Sequence, residues 1–132
     1  ASNSKLVHFE VFVHFPKENS DIDFGEAIKW HSDYTGSSFL RIFIPLTDFN
    51  EENGDHSFVL GSHRVKPSFY ADTRYSDELI RDNYPTANIQ TLSANSGDVC
   101  FESTLGIHRG IPGRSNTRRT IILTYQSGLS FI

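Results

Sequence analysis

The chain contains no methionine and a single cysteine, Cys100. One thiol excludes an internal disulfide and a cysteine-built zinc site. Cys100 sits in the apolar run Val99-Cys100-Phe101, where a small buried residue is the expected role. Without an initiator methionine, the chain reads as processed or as a fragment. No stretch approaches the roughly 18–20 apolar residues of a membrane-crossing helix, and no signal peptide is visible. A cytoplasmic, reducing setting is therefore expected. Positive charge is also scarce: 12 Lys plus Arg face 16 Asp plus Glu, for a net charge of -4. That balance points to neither nucleic acid nor an anionic membrane as a partner. The basic residues are locally concentrated, however, with Arg109, Arg114, Arg118 and Arg119 close together.

At 132 residues the chain can build one domain with one modest core. Its dominant pattern has period two. Val7, Phe9, Val11, Val13 and Phe15 alternate with His8, Glu10, Phe12 and His14, which predicts a long strand with one buried face. Phe39 to Leu46 is nearly all apolar and predicts a covered strand that ends near Pro45. Asn53-Gly54 predicts a tight turn with positive φ. Further short strands are expected at Ser57–Leu60, Val99–Glu102 and Thr120–Gln126. One short helix is expected over Ser76–Asn83, with Ser76 as N-cap and Asp77 and Glu78 in its first turn. Short strands between Gly, Asn and Pro turns, with little helix, indicate an all-β sandwich or barrel.

The chemistry centres on Trp30-His31-Ser32-Asp33. On a strand, residues two apart share a face, roughly 6.6 Å apart at Cα, so His31 and Asp33 can converge on one ion. A second histidine from across the sandwich would complete a 2-His-1-carboxylate set. That is the ligand pattern of non-haem Fe(II) oxygenases, and it leaves coordination positions open. His108 qualifies, because it follows the apolar segment Thr104-Leu105-Gly106-Ile107 and precedes a glycine-rich turn. His8, His14, His56 and His63 compete, and each reads as structural or solvated. Alone, His31 and Asp33 read more readily as a surface imidazole beside a carboxylate, with no metal.

The order of motifs carries more. Trp30-His31-Ser32-Asp33, Leu46-Thr47-Asp48, Glu52-Asn53-Gly54, Gly61-Ser62-His63-Arg64, Gly97-Asp98-Val99, His108 and Arg118-Arg119 follow one another. From about Ala27 to Tyr125 this succession resembles the phytanoyl-CoA dioxygenase family of Fe(II)/2-oxoglutarate-dependent oxygenases. The resemblance implies a double-stranded β-helix (jelly roll, cupin-like) with iron at one open end. It makes His31, Asp33 and His108 the metal ligands and catalytic centre. It implies Arg119 as the partner of the 2-oxoglutarate C5 carboxylate, a task suited to a planar, permanently charged guanidinium. Arg118 is the alternative, since strand neighbours face opposite ways. Arg119 shares parity with Ile121 and Leu123, which is the parity expected to point inward.

Phe43 falls where such enzymes often place an aromatic wall of the co-substrate pocket. Arg41 shares its face and joins it as a co-substrate residue. Tyr34 and Thr35 follow the ligand pair and are candidates for the substrate side. Arg109 is a candidate contact for an anionic substrate, although parity turns it from the metal. The implied reaction is hydroxylation of a small organic substrate with O2 and 2-oxoglutarate. Asp33 argues against the halogenating variant, which needs a smaller residue there.

Three departures from the family pattern stand out. Leu60 replaces a usual proline. Gly110 replaces a polar residue that often helps bind 2-oxoglutarate. The family's N-terminal helical region is also expected to be absent, leaving residues 1–132 as a single jelly-roll domain. An uncovered sheet face would then favour a homo-oligomer. The alternative function is a jelly-roll binding or structural protein with a vestigial or non-redox metal site.

Overall fold

Seven strands form two antiparallel sheets in the computed structural model, which describes residues 4–16, 26–33, 39–64 and 74–127. They are β1 (Ser4–His14), β2 (Phe39–Pro45), β3 (His56–Val59), β4 (Ile89–Leu92), β5 (Cys100–Glu102), β6 (His108–Gly110) and β7 (Arg118–Ser127). The larger sheet has the order β1-β7-β2-β5 and the smaller has β4-β3-β6. This is the expected all-β jelly-roll architecture. The helix α1 (Asp77–Asn83) begins as anticipated, with the Ser76 side chain accepting from the Leu79 amide at 3.2 Å. Gly54 adopts φ 103° at the Asn53-Gly54 turn. A Cβ there would also lie 2.5 Å from the Ile111 carbonyl oxygen, so both backbone conformation and space call for glycine.

Two strands lie outside the sequence expectations. β4 has no strong alternation to announce it. β6 starts at His108 itself, because the preceding apolar segment makes a turn, closed by the Gly106 amide on the Ser103 carbonyl at 2.9 Å.

The largest correction concerns which face is inside. The apolar row of β1 points outward: Val7, Phe9, Val11 and Val13 are exposed, whereas His14 is buried. The same inversion runs through β7, where Arg118, Thr120, Ile122 and Thr124 are the buried set. Across the outer face, register aligns Phe9 with Leu123, Leu123 with Ile42, and Ile42 with Phe101. Phe9 is 59% exposed and Phe101 67%. The hydrophobic core lies elsewhere. Trp30, Val59, Tyr75, Ile80, Tyr84 and Ile107 form one buried cluster, with Leu79 and Ile89 packed against it. By strand alternation Trp30, Val59 and Ile107 occupy the face opposite His31, Phe58 and His108. Helix α1 therefore closes a dry core behind the smaller sheet. The space between the sheets is a cavity of mixed lining, with His31, His56 and Arg118 facing Phe43, Phe49 and Ile122.

Candidate metal centre

His31 and His108 are direct neighbours. The His31 amide donates to the His108 carbonyl at 2.9 Å, and the His108 amide donates back to the His31 carbonyl at 2.8 Å. This two-bond bridge extends the smaller sheet beyond β6. The second ligand histidine thus comes from an adjacent strand of the same sheet, not from across the sandwich as expected. Asp33 is fixed by its amide bonding to the Thr104 carbonyl at 2.8 Å. The turn before His108 is held by Ser62, a fully buried residue of the Gly61-Ser62-His63 motif. Its hydroxyl accepts from the Ile107 amide at 2.7 Å and donates to the Val59 carbonyl at 2.6 Å.

The side chains converge. His31 Nε2 is 3.9 Å from Asp33 Oδ1, and His108 Nε2 is 3.7 Å from Asp33 Oδ2. One donor atom from each of the three residues lies within 4.8 Å of the others. Ligand bonds near 2 Å hold donors no more than about 4 Å apart, and both histidine–carboxylate separations meet that limit. Orientation is fixed as well. His31 Nδ1 is 2.7 Å from the Lys29 carbonyl, and His108 Nδ1 is 2.9 Å from the Gly106 carbonyl. A carbonyl only accepts, so each Nδ1 carries the proton and each Nε2 presents its lone pair to the centre. Burial holds both rings neutral, the form that binds metal. It pushes the His108 pKa down to about 4, with His31 adding to the effect, and also lowers that of His31. The donor set fits a divalent metal of the non-haem iron type.

Beyond the triad the cavity continues between the sheets toward Arg118. Arg118 is 5% exposed. Its guanidinium donates to the Asp55 carbonyl and, at 2.6 Å, to His14 Nδ1. Burial lowers its pKa to about 10, opposed by the Asp55 carboxylate, so it stays charged at neutral pH. Burial and the adjacent Arg118 cation push His14 down to about 4, leaving a neutral ring that can accept. Gly110 explains the approach. A Cβ there would lie 2.9 Å from both Arg118 Nη2 and His14 Cε1. Because Gly110 follows His108 by two residues, Arg118 sits about one strand repeat, roughly 6.6 Å, along β6 from the metal ligand.

Arg119 does not enter this cavity, against the inward parity expected of it. It is exposed on the outer face, and its amide bonds to the Thr47 hydroxyl at 3.0 Å. The inward parity of β7 belongs to Arg118, Thr120 and Ile122, which line the cavity between the sheets. Arg109 also turns away from the triad, as parity predicts. It is paired with Asp77 at 2.7 Å and stacked 4.4 Å from the Trp30 ring centroid. Trp30 Nε1 donates to the same Asp77 carboxylate at 2.6 Å, so this group ties α1 to the His31 segment. Phe43 and Arg41 both line the cavity. Arg41 Nη1 lies 2.9 Å from Asp33 Oδ2, which makes Arg41 first a partner of the ligand carboxylate. Tyr34 and Thr35 lie outside the described residues. His14 and His56, unmarked by any motif, also line the cavity, and Glu102 lies beside His56 and His108.

The open interior of the β-sandwich thus brings together two Nε2 donors, a carboxylate and a distal arginine, a donor set that could hold one divalent metal ion. The chain belongs to the phytanoyl-CoA dioxygenase family, whose model matches residues 10–121. A comparison with curated proteins finds no significant match. Solved structures of similar fold include EvdMO1, with 23% identity and a TM-score of 0.69, covering 96% of this chain and 28% of that one. SnoN, a non-heme alpha ketoglutarate dependent epimerase from nogalamycin biosynthesis, has 21% identity and a TM-score of 0.68, covering 96% and 48%. HygX from Streptomyces hygroscopicus, solved with nickel and 2-oxoglutarate, has 13% identity and a TM-score of 0.66, covering 97% and 58%. The chain thus spans between about a quarter and three fifths of the length of these proteins.

Proposed function

We propose that this chain is the catalytic jelly roll of an Fe(II)- and 2-oxoglutarate-dependent dioxygenase that hydroxylates a small organic substrate. The observation that carries the reading is the paired anchoring of His31 and His108 through Nδ1, which aims two Nε2 lone pairs at Asp33. His31, Asp33 and His108 would hold the iron. When bound, the iron and 2-oxoglutarate supply the oxidising chemistry with O2.

The protein's own part is binding, orientation and shielding. Arg41 pairs with one carboxylate oxygen of Asp33 and thereby restrains how that ligand turns. Arg118 would grip the C5 carboxylate of 2-oxoglutarate, taking the role the sequence reading gave to Arg119. Two further features favour that assignment. Arg118 Nε and the Thr120 hydroxyl are buried without a hydrogen-bond partner among the described residues, and buried donors of that kind call for one. The cavity reaching them also opens on His31 and His108. Phe43 would form an apolar wall for the co-substrate chain.

The reading is tested by following 2-oxoglutarate conversion to succinate in the presence of Fe(II) and O2. Succinate that depends on both Fe(II) and 2-oxoglutarate supports it. Metal binding without 2-oxoglutarate binding or turnover would instead favour a binding protein with a non-redox site.

A further inference from the structure

We propose that Glu102, braced by His56, is a positioning residue that orients the His108 imidazole and sets the strength of the metal centre. The inference rests on the reading of His31, Asp33 and His108 as metal ligands.

Register pairs Glu102 on β5 with Arg41 on β2, so both side chains enter the same interior. The Glu102 side chain is 10% exposed. Taking a carboxylate out of water costs several kcal/mol unless neighbours compensate. Two neighbours are available. Oε2 lies 2.7 Å from His56 Nε2, and Oε1 lies 3.9 Å from His108 Nδ1. Neither Oε1 nor His56 Nε2 has a hydrogen-bond partner among the described residues, so the approach of His56 to Oε2 is a close contact outside hydrogen-bond geometry.

His56 is buried and is itself confined between rings. It stacks on His108 with centroids 5.6 Å apart and planes 28° apart, and meets Phe43 at 5.1 Å. Glu102 and His56 therefore enclose the flank of His108 away from the metal, one by charge and the other by ring contact. The His108 Nδ1 proton already bonds to the Gly106 carbonyl. A negative charge near that nitrogen makes Nε2 a stronger donor and resists rotation of the ring. Outer partners of ligand histidines commonly act this way. Nothing in the dry core requires a carboxylate here, since that core lies behind the other face of the smaller sheet.

The test is Co(II) binding to the whole chain under anaerobic conditions, read by calorimetry and by the visible d–d spectrum, with circular dichroism as the check on folding. Glu102→Gln keeps the shape and removes the charge. It is expected to lower Co(II) affinity by about 10–100-fold and to shift the d–d bands. Glu102→Asp, which restores the charge, should recover part of both. His56→Phe keeps the ring contact, removes the carboxylate's partner, and should move affinity and spectrum in the same direction. If Glu102→Gln does not fold, His56→Phe decides the question. Affinity within two-fold of wild type and an unchanged spectrum in the deciding variant would overturn the inference alone. A wild-type chain that binds no Co(II) would overturn the metal-centre reading and this inference with it.

Discussion

His31 and His108, separated by most of the chain, donate main-chain hydrogen bonds to each other and hold their rings 4.3 Å apart. The candidate metal site is therefore part of the sheet ladder, and its geometry is as firm as the backbone pairing beneath it. Removing a side chain should empty the site without dissolving the ladder. His31→Ala, Asp33→Ala and His108→Ala are each expected to lower Ni(II) affinity by more than the roughly 10–100-fold that outer partners carry. Calorimetry measures the loss, and an unchanged far-UV spectrum checks that β6 still pairs.

Arg118 and Arg119 are adjacent but face opposite sides of β7, so one experiment separates them. Truncating a buried, hydrogen-bonded charge that grips a ligand costs about 2–5 kcal/mol, roughly 30-fold or more in affinity. Arg118→Ala should weaken 2-oxoglutarate binding to the Ni(II)-loaded protein by at least that factor, whereas Arg119→Ala should leave it within two-fold. Gly110→Ala should resemble Arg118→Ala. Its methyl would lie 2.9 Å from the guanidinium and the His14 ring, closer than atoms tolerate, so Arg118 would be displaced. Titrations with 2-oxoglutarate by calorimetry distinguish the three variants. Equal losses for Arg118→Ala and Arg119→Ala would contradict the assignment.

The convergence of His31, Asp33 and His108 was legible because metal chemistry admits few residue types and the motifs around them come in order. Facing was not legible, for a physical reason. Parity arguments assume that the apolar side of a strand is inside. Here the interior of the sandwich is a cavity with both polar and aromatic walls, so Thr120 and His14 point in while Ile121 and Val13 point out. The same assumption chose Arg119 over Arg118. Pairing of His31 with His108 was also hidden, since sequence spacing does not say whether two strands are neighbours or opposites. Glu102 and His56 had no motif around them, and only register and packing bring them to His108.

Stability should fall in mild acid. His14 is neutral in the folded chain, with a pKa near 4 against an ordinary value of 6.5, because of burial and the Arg118 cation. Between those values the unfolded chain takes up a proton that the folded chain refuses. Stability is then complete above about pH 6.5 and is lost as pH falls toward 4. The loss amounts to at most about 3 kcal/mol from this residue. Thermal melting of the metal-free chain from pH 7 to pH 4 measures it. His14→Gln, which can still accept from Arg118 but does not titrate in this range, should make the profile shallower and leave the part that His31 and His108 carry. An equally steep profile in the variant would place the acid sensitivity in other groups.

The outer face of the larger sheet should govern solubility independently of the metal site. Phe9, Leu123, Ile42 and Phe101 lie in one row across four strands, with both phenylalanines more than half exposed. Contiguous apolar surface of this kind drives association through burial of area, and a charge within it opposes association at little cost where the side chain is already in water. Phe9 is the better site of the two phenylalanines, because Phe101 adjoins Glu102, whereas the residue opposite Phe9 is Leu123, whose side chain faces the same outer surface. Phe9→Lys is expected to reduce self-association in sedimentation velocity while leaving Ni(II) affinity within two-fold of wild type. Loss of metal binding in that variant would mean that the outer face and the triad are mechanically coupled through β7 and β2, contrary to the separation of the two faces seen in the fold.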